Sequence, residues 1–216
     1  VQTCALPISF IAVLVVMWGT GCGSERDPTF RYDLGMDDGG VDDLGVDQGG
    51  DQGTVTYPAQ YPAGRTLSPL TPHVAAHLRE VVARGETMPD VFIKVGASAT
   101  YSSQFLHCFA GSNVDLDGRA ELEPTLTFFR AGDIEGSTPF NRTSTATEVG
   151  RGAAWALAGD PSPLETEVNI ANPRYAVAMY GTNDIEQTNV FSYANSLLDI
   201  TDELLDDGII PFWSTV

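Results

Sequence analysis

The sequence predicts an α/β domain, a mainly parallel sheet with helices on both faces. Two observations carry the prediction. Short apolar, β-branched runs recur and close on glycine-bearing turns, and segments of helical periodicity separate most of them. Alternation of this kind implies right-handed crossovers that lay successive strands side by side and parallel.

The elements follow in chain order. Residues 73–84 set Val74, Ala75, Leu78, Val81 and Val82 at helical spacing, with Thr71 or Pro72 to open the helix and Gly85 to end it. Residues 91–95 read Val-Phe-Ile-Lys-Val and stop at Gly96, the pattern of a buried strand. Further strands are expected over residues 126–129, 175–180 and 209–213. An amphipathic helix is expected over residues 195–205, with Leu197, Leu198, Ile200 and Leu204 as its apolar positions.

The chain has 216 residues and a formal net charge of -18, enough length for one ordinary domain and some extra. That charge excludes a nucleic-acid partner, because a phosphate backbone needs a basic surface to release its counterions. The extra length lies at the front. Residues 8–18 are an apolar run shorter than the roughly 20 residues that span a bilayer, and they read as the core of a signal peptide. Gly19-Thr20-Gly21 before Cys22 resembles a bacterial lipobox, in which the cysteine becomes the lipidated first residue. Gly19 stands where an aliphatic residue is usual, so ordinary signal-peptidase cleavage stays open as an alternative. No Lys or Arg precedes the apolar run, so the beginning reads as incomplete or foreign and residues 1–7 are given no functional role.

Residues 33–53 repeat Asp and Gly at every second or third position, a composition too polar to offset its ordering entropy, and read as a solvated tether. Calcium binding is the sharper alternative, but the distal Glu and fixed spacing of known calcium loops are missing. Pro58, Pro62, Pro69 and Pro72 mark a second linker. The expected organisation is therefore a signal or lipoprotein segment over residues 1–22, a linker over 23–72 and a folded domain over 73–216. A cell-envelope or extracellular location follows, with the membrane reached through a lipid on Cys22.

Cys4, Cys22 and Cys108 have no metal-ligand spacing, and no disulfide framework is expected. Cys108 reads as a buried thiol beside a structural His107. His73 and His77 lie four apart on a helix, but no third ligand follows, so they read as helix-surface residues. No metal or cofactor is expected.

The chemistry-bearing turns should lie at the carboxyl ends of the strands. After residues 91–95 comes Gly96-Ala97-Ser98-Ala99-Thr100, which presents a serine at a tight strand-to-helix turn, where a nucleophile needs exposure and nearby N–H donors. The plain alternative is a turn with a helix cap. After residues 175–180 comes Gly181-Thr182-Asn183-Asp184, whose Asn amide can donate to a developing oxyanion. Here the plain alternative is a polar turn.

Together and in this order, the two segments resemble the SGNH hydrolases, also called GDSL esterases and lipases. The resemblance covers about residues 73–216. It implies a flavodoxin-like three-layer parallel sheet, incomplete at the C-terminus, and a serine ester hydrolase. Ser98 matches the nucleophile and Asn183 the oxyanion amide. A glycine donor is implied between them, for which Gly150 is taken, with Gly152 as the alternative. Residues 140–144 look like part of the same segment without an assignable role. Ala97 stands where the family usually has Asp. The family's distal Asp-x-x-His does not follow residues 209–213, so the 216-residue form is expected to be inactive. The expected partner is an ester substrate, an acetylated glycan or a small lipid ester. The competing reading is a non-catalytic glycan-binding surface lipoprotein of the same fold, and a third is a calcium-dependent adhesin built on the Asp/Gly repeat.

Overall fold

The computed structural model describes residues 2–3 and 70–214. The expected signal core and Cys22, the expected Asp/Gly tether and the linker up to residue 69 lie outside the described residues.

A two-residue strand β1 (Gln2–Thr3) pairs in parallel with β3 (Val114–Asp115). The main sheet has three strands, β2 (Met88–Gly96), β4 (Pro173–Met179) and β5 (Ile210–Trp213), in the order β2-β4-β5 and all parallel. Two of these strands are buried on both faces along most of their length, which is why they read as near-continuous apolar runs. Beside the free edge of β2, the segment around Thr147 makes one parallel bridge to Gly96: Gly96 N–H donates to Ala146 O at 3.0 Å, and Glu148 N–H donates to Gly96 O at 3.2 Å.

Side-chain alternation divides the core in two. On one face Val91, Ile93, Val95, Ala176 and Ala178 pack with Leu164 and Ala171 of helix α4 (Pro163–Ala171) and with Ile200 and Leu204 of α6 (Val190–Asp206). On the other face Phe92, Tyr175, Val177 and Met179 pack with Val81 of α1 (Pro72–Val82) and with Leu126 and Phe129 of α3 (Glu123–Arg130). The expectation of a mainly parallel α/β sheet covered on both sides agrees with this arrangement.

Local signals explain the helix ends. Thr71 caps α1 by accepting from Val74 N–H at 3.2 Å, with Pro72 in the first turn. Asn189 caps α6 by accepting from Phe191 and Ser192 N–H, so that helix begins before residue 195, where the apolar pattern first becomes clear. Ser162 and Glu165 form a reciprocal capping box on α4.

Two expectations are corrected. Residues 126–129 are helical: they lie in α3, where Thr125, Leu126 and Phe129 supply the buried face at i, i+1 and i+4. A four-residue apolar run fits either period, and Pro124 in the first turn favours the helix. Cys108 is disulfide-bonded rather than a buried thiol. Cysteine spacing alone carries no pairing signal.

Candidate functional site

Ser98 and Asn183 lie in the turns that follow two adjacent, parallel strands, β2 and β4. The register pairs Gly96 with Met179, so both chains leave the sheet side by side, Ser98 two residues after Gly96 and Gly181 two after Met179. This carboxyl edge is where a parallel sheet presents loops to a ligand.

Ser98 opens the four-residue helix α2 (Ser98–Tyr101) and is exposed. Its hydroxyl and its N–H have no hydrogen-bond partner among the described residues. The turn is held by Thr100, a buried residue whose hydroxyl donates to Ala97 O at 2.9 Å, and by Tyr101 N–H donating to the same carbonyl at 2.9 Å. Ala97 itself is buried and belongs to the aliphatic core.

The second strand end grips the segment at residues 150–153. Asn183, Asp184 and Gln187, on and just before the short helix α5 (Asp184–Gln187), all reach it. Asn183 Nδ2 donates to Arg151 O at 2.8 Å, and Gln187 Nε2 donates to Gly150 O at 2.8 Å. Asp184, 4 % exposed, accepts from Ala153 N–H at 2.8 Å through Oδ1 and from Gly181 N–H at 3.1 Å through Oδ2.

The two candidate glycines differ in kind. A Cβ on Gly152 would lie 2.7 Å from Asp184 Oδ1, so packing against the carboxylate requires glycine there. Gly150 has φ +82° and open space around it, and its N–H has no partner among the described residues. Three N–H sources thus remain open at this edge: Ser98, Gly150, and the second amide hydrogen of Asn183. Arg151 is paired with Glu148 at 2.7 Å and lies over the Trp155 ring at 5.5 Å.

Histidines are elsewhere. His73 and His77 are exposed on α1, with His77 3.7 Å from Glu80. His107 Nε2 lies 3.1 Å from Lys94 Nζ, which also donates to Phe140 O at 3.2 Å. Lys94 is 2 % exposed in the middle of β2, and burial lowers its pKa to about 8, an effect partly offset by Glu167. Burial, with the Lys94 charge beside it, also lowers the pKa of His107. Sequence reading passed over this lysine, because lysines are rarely buried and the strand pattern does not depend on it.

Residues 140–144 acquire a structural role. Arg142 forks onto the buried Glu167 at 2.8 and 3.3 Å, and Thr145 donates to the same carboxylate from its N–H and its hydroxyl. Among the described residues no cluster of His, Cys, Asp and Glu has the makings of a metal site, and no helix is long and apolar enough to cross a membrane. The chain matches no protein-family model, no curated protein and no solved structure.

Proposed function

We propose that this chain carries the nucleophile and oxyanion-binding half of a serine ester hydrolase of the SGNH type, exported to the cell envelope and anchored by a lipid on Cys22. The observation that carries the reading is at the carboxyl ends of adjacent parallel strands: an exposed Ser98 follows β2, and Asn183 follows β4 with its segment clamped to residues 150–151. The sheet supports it as well. Counting the Thr147 bridge as a rudimentary strand, the order runs 147-β2-β4-β5, which corresponds to 2-1-3-4 of the flavodoxin-like arrangement.

In this mechanism Ser98 Oγ attacks the ester carbonyl carbon and a base takes the hydroxyl proton. The carbonyl oxygen, now negative, accepts hydrogen bonds from Ser98 N–H, Gly150 N–H and the free hydrogen of the Asn183 amide. The alcohol leaves with the proton, and water then releases the acyl group from the serine. None of the three histidines is hydrogen-bonded to Ser98, and His107 is already engaged with Lys94. The reading therefore requires a base from an Asp-x-x-His segment of the gene product. The substrate class is an acetylated glycan or a small lipid ester.

The second reading, a non-catalytic glycan-binding lipoprotein, draws on Ala97, which leaves the turn without the family's carboxylate. Fluorophosphonate labelling of the full-length gene product separates the two, because only an activated serine reacts. Labelling that disappears in Ser98→Ala supports the esterase; a full-length protein that resists the reagent favours the binding protein.

A further inference from the structure

Asp184 has no place in the reaction just outlined, yet it is the most buried charged group at the carboxyl edge. Its two oxygens face two backbone N–H groups from different segments, Ala153 and Gly181, and both are donors. Only a carboxylate accepts on both sides; an amide of the same shape would turn an NH2 group against one of them. Gly152 is bare because Asp184 Oδ1 occupies the space a Cβ would need.

We propose that Asp184 is a positioning residue: by tying the 150–153 segment to the Gly181 turn, it sets the spacing between the Gly150 N–H and the Asn183 amide that receive the oxyanion. Asp184 acts through those donors and touches no reacting atom. The proposal rests on the esterase reading and goes beyond it, and it separates Asp184 from Glu167, a buried carboxylate of comparable enclosure that serves the Arg142 loop instead.

The test compares Asp184→Asn with Glu167→Gln in the full-length gene product, reading both the thermal midpoint and the second-order rate of fluorophosphonate labelling at Ser98. Both variants are expected to melt earlier. Asp184→Asn is expected to label roughly a hundredfold more slowly, the scale of losing one oxyanion donor, while Glu167→Gln stays within about twofold of wild type, since an independent site adds no term of its own. Should Asp184→Asn fail to fold, Gly152→Ala takes its place, pushing the carboxylate aside without removing it, with a slowing of roughly tenfold or more. Labelling of the folded Asp184 variant, or of Gly152→Ala in its stead, at the wild-type rate overturns the inference and leaves the esterase reading standing. A wild-type protein that does not label at all overturns the esterase reading and this inference with it.

Discussion

The two faces of the three-stranded sheet are built from different materials. The face under α4 and α6 is aliphatic and small, with Ala176 and Ala178 of β4 meeting Ala153 and Ala156 from the turn that follows Gly152. The opposite face is aromatic: Phe129 packs edge-on against Phe92 at 5.4 Å and Tyr175 at 5.7 Å, and Phe92 packs likewise against Phe140 at 5.2 Å. Small residues let backbone come close, and that is how the 150–153 segment reaches the candidate site. Large rings instead fill volume at a distance, and the aromatic face carries scaffolding together with the enclosed Lys94 cation. The 150–153 loop thus lies where side chains are least bulky.

The contrast can be broken most severely at Phe129. Replacing this 1 % exposed ring with Ala should cost about 3–5 kcal/mol through lost burial and a residual cavity, seen as a lower urea midpoint at unchanged slope. A native-like midpoint would mean that the aromatic face is looser than its geometry.

The next effect concerns the cation on that face. The folded-state pKa of Lys94, about 8, lies below its ordinary 10.5, so between these values the unfolded chain holds the proton that the folded chain has released. Stability should therefore rise with pH across that window, by about 1–3 kcal/mol. Lys94→Met should flatten the rise and be more stable than wild type at neutral pH. His107 works at the acid end: its pKa is lowered, so its contribution is present above about 6.5 and declines as pH falls below that value. Equilibrium unfolding between pH 5 and 10 checks both slopes.

On the aliphatic face the vulnerable direction is the reverse one, toward larger residues. Ala178→Leu should cost about 1–3 kcal/mol by overpacking at a position with no exposed surface. The same enlargement should be better tolerated at the exposed Ala154, and differential scanning calorimetry of the pair distinguishes the two sites. The smallest effect is expected at Ser162→Ala, about 1 kcal/mol from loss of the α4 capping box, measured as a shift in the thermal midpoint.

Legibility in the sequence follows the same division. The strands around Ile93 and Val177 were readable as apolar runs closed by Gly96 and Gly181, and the helix around Ile200 because burial of one face imposes a period on a long segment. Residues 126–129 were misread because a short apolar run carries no period of its own. The helix opened by Ser162 was marked by its Ser-Pro-Leu-Glu start and went uncalled, since its apolar stripe is thin. At the site, the turns bearing Ser98 and Asn183 could be found as glycine stops after strands. Asp184 could not, because its role lies in two backbone N–H groups brought from 3 and 31 residues away, and tertiary closure of that kind leaves no local pattern. Lys94 and Cys108 were hidden for the same reason.

Lys94 is also the single lysine of the 216 residues; the other basic side chains are ten arginines and three histidines. Within these residues Lys94 is therefore the one side-chain primary amine, and at 2 % exposed it is closed to acylating reagents and aldehyde crosslinkers while β2 is intact. An amine label on Lys94 would report the opening of β2, so the sheet carries a silent gauge of unfolding on its outer strand.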